Sequence, residues 1–222
     1  MHDNHPMLLH GAFVPPRAVL DAVDAVIRSV PVVSPETSQA PVPAKGLRAR
    51  LGRRRDDVVA AVGEAPVMLD HVPLERMQLP IAGFGNLTTH DAHRVIDAIK
   101  EAADGWPAPT VQFAGGTALE FPGDWSVWAK LEGDVDALTT AARGVVQCVE
   151  GLGFFLDRRM FRPMLSVATV TRETTGPFLE SVVGALEEFR GEAWVADICF
   201  MRETFVGTRP EMVEYLRVPL AG

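Results

Sequence analysis

Glu75-Arg76-Met77-Gln78-Leu79-Pro80-Ile81-Ala82-Gly83-Phe84-Gly85 and, later, Phe161-Arg162-Pro163-Met164-Leu165-Ser166-Val167 are the two segments from which the rest of the chain can be placed. Both read as strands, and both are followed by a Thr-Thr pair and a helical pattern. Gln78 and Met164 stand 86 positions apart, as do Thr88 and Thr174, and Thr89 and Thr175. An offset shared by a strand, a turn and a helix start points to an internal duplication. The period is too long for a solenoid. It favours two copies of an α+β unit facing each other across a cleft.

Working outward, Leu8 to Val14 reads as a strand, and Pro15-Pro16 opens a helix with Val19, Leu20, Val23, Val26, Ile27 and Val30 on one face. Residues 31–57 carry Pro31, Pro35, Pro41 and Pro43 and then a basic run from Lys45 to Arg55. They read as an inserted loop or linker. A short helix is expected at Val58 to Val62 and a strand at Val67 to Val72. Met77 to Phe84 is the first motif strand, and a helix follows Thr88-Thr89 through Asp104. Thr110 to Ala114, Ala118 to Phe121 and Ser126 to Leu131 are strand candidates. A helix from about Val135 to Leu152 ends before Gly153. Met164 to Thr171 is the second motif strand, Pro177 opens a helix, and Trp194 to Phe205 and Glu211 to Val218 close the chain as strands.

The expected fold is therefore α+β. Two similar lobes place antiparallel sheets around a central cleft, with helices outside. They form one bilobal domain over residues 1–222, with lobes at about 7–121 and about 125–219. Within each motif strand alternate residues share a face. Gln78, Pro80, Ala82 and Phe84 are expected to line the cleft, and so are Met164, Ser166 and Ala168.

At 47% hydrophobic and 23% charged, the 222 residues have ordinary globular usage, which excludes overall disorder, collagen and coiled coil. Net charge is −8, so non-specific attraction to nucleic acid is excluded and any RNA contact is local. Cys148 and Cys199 match no metal spacing. The start of the chain lacks a signal-peptide pattern, and no apolar run is long enough to span a membrane. A cytoplasmic protein with no membrane contact is the expectation.

These segments resemble the two motif regions of the 2H (two-histidine) phosphoesterases, the 2′-5′ RNA ligase-like family. Leu8-Leu9-His10-Gly11-Ala12-Phe13-Val14-Pro15 resembles the family's opening strand, and Tyr215-Leu216-Arg217-Val218-Pro219-Leu220 its closing one. The resemblance spans the chain apart from about residues 31–65. It implies a His-x-Thr/Ser signature in each lobe. One histidine acts as base and the other as acid on a 2′,3′-cyclic phosphate or 2′-5′ linkage, while the hydroxyls hold phosphoryl oxygens. Neither metal nor cofactor is implied.

The chain departs from that signature. Gln78 and Met164 stand at the histidine positions and Pro80 at the first hydroxyl, and only Ser166 is retained. Neither an amide nor a thioether transfers protons near neutral pH. Loss of a general acid or base costs about 10²–10⁴-fold. All six histidines, His2, His5, His10, His71, His90 and His93, lie in the first half, so the second lobe is expected to lack one. The reading is a degenerate member that binds a nucleotide or RNA end, or acts through a protein partner. One rival is an active metal-independent cyclic phosphodiesterase using His10, Gln78 and Ser166. Another is an interaction module whose cleft is filled by Met164 and Phe84.

His10, Phe84, Trp128, Arg158 and Arg162 are the binding candidates: an imidazole beside the cleft, two aromatic surfaces for a base, and guanidinium groups suited to phosphate. His90 and His93 with Asp91 share a helix face but lack a second ligand cluster, so no metal site is expected.

Overall fold

The computed structural model describes residues 6–32, 66–156, 160–207 and 209–221. The helix expected at Val58 to Val62, nearly all of the 31–57 insertion and Arg158 lie outside them.

Among the described residues nine strands and four α-helices follow in the order β1 (Met7–Phe13), α1 (Arg17–Ser29), β2 (Leu69–His71), β3 (Leu79–Leu87), α2 (Thr89–Ala103), β4 (Thr110–Ala118), β5 (Ser126–Gly133), α3 (Val135–Gly151), β6 (Met164–Val170), α4 (Gly176–Glu188), β7 (Trp194–Val195), β8 (Ile198–Val206) and β9 (Arg209–Val218). One sheet has the order β3-β1-β8-β9 and the other β2-β6-β5-β4-β7, and the described pairings between these strands are antiparallel. The α+β architecture with two antiparallel sheets is thus present.

Each helix forms because one stripe is apolar and its start is punctuated. In α2, Val95, Ile96, Ile99 and Ala103 are buried at helical spacing. Thr88 caps it, accepting from the Asp91 backbone N–H at 3.1 Å and donating to the Asp91 carboxylate at 2.9 Å. That ties Asp91 into the cap, beside His90 and His93. Among the described residues no cluster of three metal-ligating side chains occurs. In α4 the cap is Thr175, one residue later than the shared offset predicts. Thr174 instead donates its hydroxyl to Met68 O at 2.5 Å and accepts from Thr171 N at 2.8 Å, pinning the entry to β2.

Two expectations about strands are corrected. Thr110 to Ala118 is one strand, because the Gly115-Gly116 pair that reads as a break produces only a register shift between Phe113 and Gly116. Trp194 to Phe205 is two strands in different sheets: β7 pairs with β4, and β8 pairs with β1 and β9.

The sheets also do not divide the chain at residues 121–125. β2 and β4, from the first half, belong to the second sheet, and β8 and β9, from the second half, belong to the first. After β3, α2 carries the chain across to β4 of the second sheet, whereas after β6, α4 leads first to β7 of the same sheet and only then to β8 of the first. Each half therefore contributes strands to both sheets. Side-chain alternation records which face of a strand is buried, not which sheet it joins. One continuous core, from Phe13 and Leu79 through Val127, Leu165 and Leu186, underlies both sheets.

Cys199, at 0% exposed, sits in a smaller separate cluster with Ala12 and Met201, and Cys148 is half-buried. Burial pushes the Cys199 thiol up to about 11 despite the pull of the Arg217 guanidinium, and burial also raises Cys148. Thiol titration with a chromogenic disulfide near pH 8 is expected to count at most one cysteine in native protein and two in denaturant. Prompt reaction of both in the native state would contradict this burial.

Candidate functional site

The first motif positions gather at a hollow of about 350 Å³ on the first sheet, lined by Leu8, His10, Gly11, Gln78, Pro80, Ile81, Ala82, Gly83, Gly85 and Phe155. Gln78 and Pro80, at the head of β3, and His10, on β1, are brought together here. Gln78 Oε1 is buried and makes no hydrogen bond. Such an oxygen carries an uncompensated desolvation cost, on the order of 1–3 kcal/mol.

Phe84 is not at this surface. It is 2% exposed, packs on Phe200 at 5.9 Å between ring centroids, and lies over Gly11, where a Cβ would stand 2.9 Å from its ring. The cause is the register of β3 against β1. His10 lies opposite Gly83 and Leu9 opposite Gly85, so Phe84 is an extra residue, and Ile81 is another. These bulges turn Leu79, Ile81, Phe84 and Leu87 all inward, where strict alternation would have sent Phe84 out.

The second motif positions lie on β6. Met164 belongs to a separate hollow of about 450 Å³, with Glu120, Phe121, Lys130, Leu131, Arg162 and Pro163. Arg162 stacks its guanidinium on the Phe121 ring, 3.7 Å from the centroid. That is a cation–π contact, and it occupies one face of a guanidinium expected to be suited to phosphate. Ser166 is half-buried and pairs in register with Trp128 on β5. Phe161, which opens the second motif segment, packs edge-on against Phe13 of the core at 5.6 Å.

Trp128 is held by its indole. Its Nε1 donates to Asp124 Oδ2 at 2.7 Å, and its ring lies 6.3 Å from that of Phe121. Asp124 also accepts from the backbone N–H of Ser126 at 2.9 Å and of Glu120 at 3.0 Å. Partial burial raises its carboxyl, but the indole donor and the two backbone donors outweigh this and hold it below the ordinary value. A folded-state pKa below the unfolded one means stability that is present above the unfolded pKa and lost as pH falls through the folded one. Asp124→Ala is expected to cost about 2 kcal/mol at pH 7 and to flatten the acid limb of the stability curve below about pH 4. Equilibrium unfolding of both proteins at several pH values checks this. An unchanged acid limb would show that Asp124 does not set it.

Contrary to expectation, one histidine reaches the second sheet: β2 places His71 there, opposite Ala168 of β6. Its side chain nonetheless reaches α1, with Nδ1 3.4 Å from Asp24 Oδ1. Asp24 is also paired with Arg28, Nε to Oδ2 at 2.6 Å. The β6–β5 register explains the direction. Val127 opposes Ala168 while Trp128 opposes Ser166, so Val167 is bulged, and Ala168 is buried with it rather than sharing the face of Met164 and Ser166.

Sequence reasoning missed Phe121, Lys130 and Phe155. The available signal for Phe155 was the Phe154-Phe155 pair just past the Gly153 helix end. Two adjacent aromatics cannot both face inward from an extended segment, and Phe154 packs on the core while Phe155 is 99% exposed.

No family model matches the chain, and no curated protein matches it in sequence. Solved structures do match. E. coli LigT complexed with 3′-AMP aligns at a TM-score of 0.60 and 12% identity, covering 98% of this chain and 99% of that one. A structure described as a phosphoesterase aligns at 0.59 and 12%, with the same coverage. TT0787 of Thermus thermophilus aligns at 0.58 and 16%, covering 97% and 99%. E. coli LigT has also been crystallised with NADP+ and with ATP. These alignments cover nearly the whole chain, and on that ground the chain has a 2H phosphoesterase-like fold, that of LigT and TT0787.

Proposed function

We propose that this protein binds a nucleotide or an RNA end and does not run the two-histidine acid–base reaction. The observation that carries the reading is on the second sheet. Its motif strand offers Met164 and Ser166, and the one histidine on its described strands, His71, is directed to Asp24 on α1. On the first sheet Gln78 stands where the resemblance implies a histidine, beside His10 but also beside Pro80, which has no hydroxyl. A single imidazole cannot serve as base and acid on opposite sides of one phosphoryl centre. The fold shared with LigT, which has been crystallised with 3′-AMP, NADP+ and ATP, supports a nucleotide as ligand.

A cleft filled by Met164 and Phe84 finds less support. Phe84 belongs to the core, and Met164 lines an open hollow instead of closing one. The test is metal-free hydrolysis of 2′,3′-cyclic nucleotides and a 2′-5′ dinucleotide. The unmodified protein is expected to show no turnover. Turnover abolished by Ser166→Ala would overturn the proposal.

A further inference from the structure

The two hollows differ in charge. Among the described residues, no Lys, Arg, Asp or Glu lines the hollow at Gln78, whose walls are mainly Leu8, Pro80, Ile81 and Ala82. The hollow at Met164 holds Lys130 and Arg162 together with Glu120. His10 is the one titratable side chain among the described lining residues, so a phosphate moved there from water loses its hydration and meets no Lys or Arg in return. An uncharged planar ring loses little on the same transfer and gains apolar contact.

Two features of the hollow suit such a ring. Gln78 lines it with an amide whose Oε1 is buried and without a hydrogen bond. An amide carries both donor and acceptor, which is the pattern along the edge of a nucleobase, and it pairs bidentately with the N6–H and N7 of adenine. Phe155, lining the same hollow, leaves its whole ring in water at 99% exposure. An exposed aromatic face at a binding site is a platform on which a base stacks.

Building on the nucleotide-binding reading, we infer that the hollow at Gln78 receives the uncharged base of a nucleotide, not its phosphate, with the Gln78 amide on the base edge and Phe155 stacked on its face. The position that the family resemblance assigns to phosphate chemistry has in this chain become a base pocket.

Calorimetric titration of the full chain with adenosine, 5′-AMP and inorganic phosphate tests this. Adenosine is expected to bind within about threefold of 5′-AMP, and inorganic phosphate is expected not to compete with it. Gln78→Met is expected to weaken adenosine about tenfold while leaving the melting temperature unchanged or raised, since an unpaired buried oxygen is replaced by an apolar atom of similar shape. Phe155→Ala is also expected to weaken adenosine about tenfold, with no change in melting temperature because the ring buries nothing. If 5′-AMP binds while adenosine binds at least about tenfold more weakly and phosphate competes, the base-pocket inference fails and nucleotide binding stands. Adenosine binding unaltered by both substitutions would equally overturn the inference. If neither 5′-AMP nor adenosine binds, both readings fall.

Discussion

Gln78→His, Pro80→Thr and Met164→His made together are expected to raise metal-free hydrolysis of a 2′,3′-cyclic nucleotide by at least about 10²-fold over the unmodified protein. The triple substitution supplies an imidazole on each sheet and restores a hydroxyl beside the first, with Ser166 already present beside the second. Each imidazole titrates near neutrality, so one can be unprotonated while the other is protonated, giving a bell-shaped dependence on pH. The fold is expected to tolerate the changes, because Gln78 and Met164 are only half-buried and Pro80 is exposed. Proline is moreover a poor residue within a strand, so Pro80→Thr favours β3. Single substitutions are expected to gain far less, since an acid without a base, or the reverse, completes only half of the proton transfer. The measurement is initial rate against pH, with chelator present and Ser166→Ala as control. A folded triple variant with no activity would show that these positions do not face one phosphoryl centre, and the assignment of Gln78 and Met164 would be wrong.

The largest effect on stability is expected from Gly133→Ala, at the end of β5. Gly133 has φ +102, and a Cβ there would stand 2.5 Å from the Thr110 carbonyl oxygen and 3.3 Å from Val111 Cα. That oxygen cannot give way easily. It accepts from Asp134 N at 3.0 Å, while Thr110 N donates to Asp134 Oδ2 at 3.0 Å. The substitution combines a backbone conformation unfavourable to any L side chain, about 1–3 kcal/mol, with a clash against fixed backbone, about 1–3 kcal/mol more. A loss of about 4 kcal/mol and a fall of about 10 °C in melting temperature are expected. Gly151→Ala is the control. It lies in the last turn of α3 with nothing within 4 Å of its Cβ position, and is expected to be neutral or slightly stabilising. Equal melting temperatures for Gly133→Ala and the unmodified protein would show that β4 and β5 can separate without cost.

Much of this architecture was legible in the residues. The apolar stripe of α2, the Thr88 cap, the Pro177 start of α4 and both motif strands were readable because they are local. Helical spacing, capping and strand alternation act over a few residues, and their physics does not depend on the remainder of the chain. The shared offset of Gln78 and Met164 carried the duplication, and with it the fold. The absence of a second-half histidine was also plain from composition alone.

What was not legible depends on register and on which strands meet. Phe84 reads as cleft-facing, yet bulges opposite His10 and Ala12 turn it into the core, because one extra residue reverses every side chain beyond it. His71 reads as a first-lobe residue, yet β2 crosses to the second sheet and a bulge at Val167 leaves it directed at Asp24. Phe155, Lys130 and Phe121 became site candidates only when distant segments closed around the hollows. Local pattern indicated two α+β units and where their strands and helices run, and it placed Gln78 and Met164 at the positions for which the family resemblance implies histidines. Tertiary structure alone decided that each half gives strands to both sheets, that among the described residues no Lys, Arg, Asp or Glu lines one hollow while the other carries Lys130 and Arg162, and that Gln78 Oε1 is left without a partner. Each of those outcomes is set by non-local backbone pairing, which a run of residues does not record.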